Sequence, residues 1–543
     1  MRALVPATSR RLLLVIVLLA LAVRVWGVGF GLPFYNARVD ESTMAAPAVG
    51  FLSGDLNPHD FMYPTAFRYA LAATYAAWYL IASPFGVYSS LEALANRRFE
   101  TIAPFFYMGR GLSVVMGTLT VWWVFLICRR LFDETIAIVA AFFLALAYLH
   151  VRDSHFGTSD VTMIGLVMLS LVSIVRWQEA GTLARAAVAG LLVGLAGSVK
   201  YNGLGAGVPF AVAVVERLFA RDRASRISPL RGVGLMAVFG AAVAVGFFGT
   251  SPYALIDWHR FVTDVATQGG ILARGHGLKT TRGWIHHATV NLPAALGWPL
   301  YAAGLGGVVG LLVTRWRQAI VLLAFPLAYF AVTGSGYRVF ARDSLPNVPF
   351  LCIAAAWLIS TLVRATVATA SLQRTAVAWT IGALAVALVA PSALDVWRLD
   401  RIFVRDDTRV VAARTLPSLI TPWSLIYQSG EAYGHVPFDI SRPQLVVDEC
   451  TFDETKNAFE PDGTLPVWII LQRSPLVLYS RVPEGVERIV KAHYDLVRRI
   501  PAATDDHPRV YDQQDALFLP LSDLAGIYRL GPTFEVYRLR AAR

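Results

Sequence analysis

Charge and cysteine are both scarce in this chain of 543 residues. Only 16% of the residues are charged, 56% are hydrophobic and the mean hydropathy is +0.53, whereas soluble globules carry about a quarter charged residues. A soluble multidomain protein, a disordered chain and a coiled coil are all excluded by these figures. Three cysteines, Cys128, Cys352 and Cys450, cannot form a disulfide framework; the first two lie in apolar runs and read as core residues. No H-E-x-x-H string and no cysteine pair is present, so no metal or other cofactor is implied by motif. A divalent metal held by the scattered histidines stays a minority alternative. The net charge of +11 is unevenly placed: residues 1–395 hold 30 Lys/Arg against 17 Asp/Glu, and residues 396–543 hold 18 against 20. The excess therefore belongs to the hydrophobic part, where loop charge fixes orientation and is no nucleic-acid footprint.

What is abundant is apolar sequence in runs near the length, about 20 residues, that a helix needs to cross hydrocarbon. Eleven runs qualify: 11–30, 104–127, 135–150, 160–175, 186–200, 202–216, 232–251, 294–313, 318–335, 348–363 and 375–394. A twelfth candidate, 66–86, is less apolar and carries Arg68 and Pro84. The first run follows Arg10 and Arg11 with no small-x-small cleavage site after it, which favours a retained anchor over a signal peptide.

Charge parity decides how 66–86 is read. If it does not cross, the cytoplasmic connections collect 16 basic residues: Arg2, Arg10, Arg11, Arg129, Arg130, Arg176, Arg185, Arg217, Arg221, Arg223, Arg226, Arg231, Arg315, Arg317, Arg364 and Arg374. The short outer loops then keep only Arg152, Lys200, Arg338 and Arg342. A full crossing would put the five-arginine loop outside. The bias favours a polytopic α-helical membrane protein of about 11 spans plus juxtamembrane helices, with the amino terminus cytoplasmic and the carboxyl terminus outside.

The last part, 396–543, reads as a separate soluble α/β or α+β domain after the transmembrane domain 1–395. Helix-like stretches (Thr408 to Leu416, Glu484 to Ile500) alternate with strand-like runs: SLIYQ near 424, QLVVD near 444, VWIIL near 467, GIYRL near 526 and FEVYRLR near 534. No catalytic motif stands out in it.

Three outer segments hold most of the unexplained polar residues. The first loop has Asp40 and Glu41 side by side, and HVRDSHFGTSD (150–160) sets Asp153, His155 and Asp160 between two spans. A long loop from Ser251 to Leu292 adds His259, Arg260, His276, Lys279, Arg282, His286 and His287. Bland roles exist for each. Asp40 suits the cap of a helix over 41–53 and Asp160 the cap of the fourth span; Lys200, at the end of an apolar helix, suits snorkelling to headgroups; His286 and His287 sit beside Trp284 at an interface. Against these stands cost: an ionisable group near hydrocarbon costs ~2 to 3 kcal/mol on insertion scales, so clustering on one side points to a polar cavity. Carboxylates with cations suit deprotonation of a hydroxyl as an anionic group departs.

Four strings carry a family resemblance. The loop GLPFYNARVDESTMAAPAVGFLSGDLNPHDFMYPTAFRYALAA resembles the first outer loop of family 39 glycosyltransferases, the protein O-mannosyltransferase and aminoarabinose transferase group of the C superfamily. HVRDSHFGTSDVTMIGLVML resembles their second acidic loop, GLLVGLAGSVKYNGLGAGVPF their Gly-Leu-rich helix ending in Lys, and YRVFARDSLPNVPFLCIAAA their late Arg-x-x-Leu-Pro segment. The likeness covers about residues 10–395. It implies inverting transfer of a sugar from a polyprenyl-phosphate donor to a hydroxyl acceptor (protein, lipid or glycan) at the outer face of the cell membrane, with the bilayer as a further partner.

Carried over by position, Asp40 is the general base, Glu41 its neighbour, and Asp160 the second-loop acid orienting acceptor or base. Lys200 and Arg342 are cations near the donor phosphate, with Arg338, His155 and Asp153 as further substrate-binding candidates. The chain departs from the aminoarabinose transferases at Met62 and Tyr63 before Pro64, where those have an acidic residue and Lys; a zinc site and that substrate are not implied. The rival class is a transporter or flippase of lipid-linked glycan or a small molecule, which predicts two similar halves. No such repeat is seen.

Overall fold

The computed structural model describes residues 7–222, 225–278, 280–368, 374–438, 447–505 and 507–541. Arg2, Arg223, Lys279 and residues 444–446 of the QLVVD run lie outside them. The chain forms two compact units, one of Met1–Val25, Met44–Arg98 and Phe105–Trp397, the other of Trp26–Thr43, Phe99–Pro104 and Arg398–Arg543.

The first unit is helical. In chain order the helices are α1 (Ala7–Val25), α2 (Val39–Gly50, whose first turn belongs to the other unit), α3 (Ala66–Ala82), α4 (Leu91–Asn96), α5 (Ala103–Leu131), α6 (Glu134–Ala145), α7 (Tyr148–Ser154), α8 (Ser159–Ala180) and α9 (Leu183–Val199). They continue as α10 (Gly207–Leu218), α11 (Pro229–Thr250), α12 (Tyr253–Ile256), α13 (Trp258–Arg274), α14 (Gly283–His286), α15 (Leu292–Leu296), α16 (Trp298–Thr314), α17 (Trp316–Thr333), α18 (Val348–Ala368) and α19 (Arg374–Phe403). Side-chain oxygens start several of them: Asp133 accepts from Ile136 N, Thr182 from Arg185 N, and Ser228 from Arg231 N with Pro229 in the first turn. Glycines let helices touch. A Cβ on Gly194 of α9 would collide with the Val243 carbonyl of α11, and one on Gly307 of α16 with the Ala354 carbonyl of α18, the small-residue packing that replaces a hydrophobic driving force in lipid.

Among the described residues, six helices are long and apolar enough to cross a membrane, or eight if each of two bent pairs is one span. The other three of the eleven expected runs are α1, which carries Arg10, Arg11 and Arg24, α9 of 17 residues and α10 of 12 residues. Segment 66–86 is the 17-residue α3 followed by a 3-10 turn. Run 135–150 is no single helix: α6 and α7 meet at 58°. The carbonyls freed by that break are taken up from afar, Leu144 and Ala145 by the Arg24 guanidinium at 3.3 and 3.1 Å and Leu146 by Ser392 at 2.9 Å. The second bend, 118°, lies before Trp298, where Gly297 takes φ +73° between Pro293 and Pro299.

The second unit is built on a mixed five-stranded sheet with helices α20 (Thr408–Thr415) and α21 (Glu484–His493). Its strands are β1 (Leu425–Gln428), β2 (Asp448–Glu449), β5 (Trp468–Arg473), β6 (Tyr494–Ile500) and β7 (Thr533–Leu539), in the order β2-β1-β5-β7-β6; β3 (Phe452–Asp453) and β4 (Ala458–Phe459) form a small hairpin. β1 is parallel to β2 and β5, and β7 is antiparallel to β5 and β6. Two expectations fail here. The stretch Glu484 to Ile500 is helical only to His493, because Tyr494–Ile500 pairs along the edge of β7. GIYRL is no strand; a lone bridge joins Ile527 to Ala503. Cys128, Cys352 and Cys450 are buried free thiols.

Candidate active site

In the helical unit, polar residues gather where helices break or end. Asp160 stands in the first turn of α8, Lys200 terminates α9, Arg338 precedes the 3-10 turn Ala341–Asn347 that leads into α18, and Asp343 lies within that turn. Asp160 does not fill the bland alternative of a cap; that position is Thr158. Its carboxylate instead takes the Lys200 ammonium at 2.5 Å, with the two side chains 9% and 15% exposed. Lys200 therefore holds an ion pair where snorkelling was the alternative. Arg338 Nε meets Asp343 Oδ2 at 2.9 Å. Burial works against the Arg338 charge, but the Asp343 carboxylate outweighs it and keeps the guanidinium above its ordinary value.

These pairs share one neighbourhood. Lys200, His287 and Arg342 act electrostatically on Asp343, and Tyr329 lies within electrostatic reach of Asp160, Arg338 and Asp343. Arg342 stacks over the Phe340 ring at 4.1 Å, a fit for a planar guanidinium. His287 begins a π-helical turn, His287–Asn291, and its Nδ1 lies 3.0 Å from Asn291 Nδ2 and 2.9 Å from Ser344 Oγ. Three cations against two carboxylates favour an anion here. An ammonium has three N–H donors, and the described contacts of Lys200 give one to Asp160.

The other second-loop candidates point inward. Asp153 pairs with Arg152 at 3.2 Å, both 2% exposed, and fully buried His155 donates from Nδ1 to the Val151 carbonyl at 2.9 Å. In the long loop, Arg260 pairs with Asp264 at 3.0 Å, His276 packs on Phe340 and Arg282 on Trp284. Among the described residues no three His, Cys, Asp or Glu come together as a metal-ligand group.

Asp40 and Glu41 belong to the sheet unit. Asp40 lies inside the first turn of α2, which begins one residue before it at Val39, so it is not the N-cap of the bland alternative. Its Oδ2 accepts from Arg38 at 3.0 Å, and Arg38, 2% exposed, also donates to Asp515 Oδ1 at 2.5 Å. Glu41 is buried.

Residues 108–247 match the family model of dolichyl-phosphate-mannose-protein mannosyltransferases. No curated protein matches the chain by sequence. Among solved structures it is similar to apo ArnT from Cupriavidus metallidurans, with TM-score 0.53, 15% identity and cover of 91% of this chain and 97% of that one. ArnT bound to undecaprenyl phosphate gives TM-score 0.48 at 15% identity, over 98% of both chains. The apo oligosaccharyltransferase of Archaeoglobus fulgidus gives 0.48 at 14% identity, over 77% of this chain and 62% of that one. The chain thus spans about three fifths of that relative's length. The likeness to apo ArnT is one of fold, and the family model matches about a quarter of the chain.

Four residues of this chain escaped sequence reading. Asp343 had a signal, since it adjoins Arg342 in an apolar segment. Arg38 lies two residues before Asp40, and an acid so near an arginine invites pairing. Asp515 and Arg24 had no local signal, because their partners lie 477 and 130 residues away.

Proposed function

We propose that this chain transfers a sugar from a polyprenyl-phosphate donor to a hydroxyl acceptor on the extracytoplasmic face, with inversion at the anomeric carbon. The observation that carries this is the Lys200, Asp160, Arg338, Asp343 and Arg342 neighbourhood in an apolar helical unit; the family model over residues 108–247, named for a polyprenyl-phosphate mannose donor, supports the donor class. Buried charge of this kind is expensive and serves best where charge develops during a reaction. In the proposed reaction Asp40, with Glu41 beside it in the motif, takes the acceptor hydroxyl proton. The acceptor oxygen bonds to the anomeric carbon as the bond from that carbon to the phosphate oxygen breaks. The electron pair leaves with the phosphate, and Lys200 and Arg342 stabilise it. Asp160 holds Lys200 and orients the acceptor side; Arg338, Asp153 and His155 support the site through their inward contacts.

The reading extends to topology: amino terminus in the cytoplasm, carboxyl-terminal part outside. Labelling of single cysteines placed in the Asp40 loop, the Asp160 loop and the tail should find all three on that side. The rival reading, a carrier of lipid-linked glycan, is favoured by the two bent helix pairs, since carriers use broken helices. Transfer from defined polyprenyl-phosphate sugars to candidate acceptors in membranes tests the reaction. Asp40→Asn should lower turnover at least ~100-fold, the scale of a lost general base; unchanged turnover rejects Asp40 as the base.

A further inference from the structure

The carboxyl-terminal part had no assigned role, yet the loop-one acids are built on it. Residues 26–43 are fastened along it at successive points. Phe30 stacks on Phe403 with centroids 4.4 Å apart, and Phe34 lies 4.5 Å from the Arg409 guanidinium. Arg409 is itself buried and held by both oxygens of Asp407. Val39 packs against the cluster of Leu476, Tyr479, Ala516 and Phe518. The last point is Arg38, whose guanidinium reaches Asp515 with one nitrogen and Asp40 with the other.

We propose that Asp515 and Arg38 are positioning residues for Asp40: the carboxyl-terminal part fixes the loop-one carboxylate through an Asp515, Arg38, Asp40 bridge. This rests on the reading of Asp40 as the base. A guanidinium presents its N–H groups in a rigid fork, so anchoring one nitrogen on Asp515 fixes where the other can hold Asp40. With its side chain 2% exposed, Arg38 has little water to compete for it, and an uncompensated charge there is costly. The Asp40 side chain is 22% exposed, well above that of Arg38. The bridge ties the acid to the last 30 residues of the chain, so an outer domain without a catalytic motif still governs the geometry of catalysis. Misplacement of a reacting group by about 1 Å costs on the order of a hundredfold in rate.

The test uses the full chain in membranes, with the polyprenyl-phosphate sugar that the native protein transfers, and a nitroxide on Thr43→Cys, an exposed position one turn beyond Asp40. Asp515→Asn should lower kcat by ~10- to 100-fold, leave KM for the donor unchanged and sharpen the nitroxide spectrum. Asp515→Glu, which keeps the charge, should restore both. A native kcat and native line shape in Asp515→Asn overturn the proposal, as does an equal loss in Asp515→Glu. If Asp40→Asn turns over normally while Asp515→Asn loosens the label, the base assignment fails and the bridge stands. If Asp40→Asn is inactive while Asp515→Asn is native in both readouts, the bridge fails and the base stands.

Discussion

In the helical unit Lys200 and Asp160 meet at 2.5 Å with side chains 15% and 9% exposed; in the sheet unit Arg540 and Asp495 meet at 2.9 Å with side chains 48% and 71% exposed. Both are ion pairs by geometry. The exposed pair lies in high dielectric and has little effect on stability, while the buried pair persists against a desolvation cost of several kcal/mol per ion. Selection has no cheap reason to keep the second kind, so buried charge marks where function or fixed geometry is required. The sheet unit obeys the same rule in its exceptions. Its Arg38 with Asp515, and Arg409 with Asp407, are buried, and both lie where residues 26–43 join the carboxyl-terminal part.

The contrast breaks most readily at its buried end. Lys200→Ala leaves Asp160 charged among helices, a loss on the order of 3 to 5 kcal/mol, and turnover with a polyprenyl-phosphate sugar should fall at least ~100-fold; native donor kinetics would remove Lys200 from the donor site. Arg342→Ala should raise the donor KM about tenfold or more, as expected for a hydrogen bond to a charged group, with the protein still folded by thermal melting. A weaker effect is expected from acid. The hydrogen bond and charge of Arg473 hold the Glu487 carboxyl below its usual range. Its stabilisation is therefore complete above the unfolded carboxyl pKa, about 4.3, and is lost as pH falls through the lower folded value. Denaturant melts at pH 7 and pH 4 should show the loss, and Arg473→Met should shrink it. Smallest of all, Asp495→Ala should change stability by no more than ~1 kcal/mol; a larger change would blur the distinction between the units.

The runs that became helices were readable because an apolar stretch of spanning length has few other solutions. Their breaks were not. Nothing local in 135–150 announces the bend after Ala145; the Arg24 guanidinium and Ser392 that satisfy the freed carbonyls come from α1 and α19. Tyr494–Ile500 read as helix because its apolar spacing suits either period, and the edge offered by β7 decided the matter. Asp40, Asp160, Lys200 and Arg342 stood out in the sequence as candidate charges. Who holds whom was hidden: Lys200 turned out to be the partner of Asp160, and Asp40 shares Arg38 with an aspartate 477 residues beyond that arginine.

In the proposed reaction this chain breaks a bond between sugar and lipid phosphate. Supplied with a polyprenyl-phosphate sugar labelled in both sugar and phosphate, the native protein in membranes should release polyprenyl phosphate in step with a glycosylated acceptor, and NMR of that product should show the anomeric configuration opposite to the donor's. Intact labelled donor recovered on the other side of the membrane, with no phosphate freed and no acceptor modified, would contradict the account.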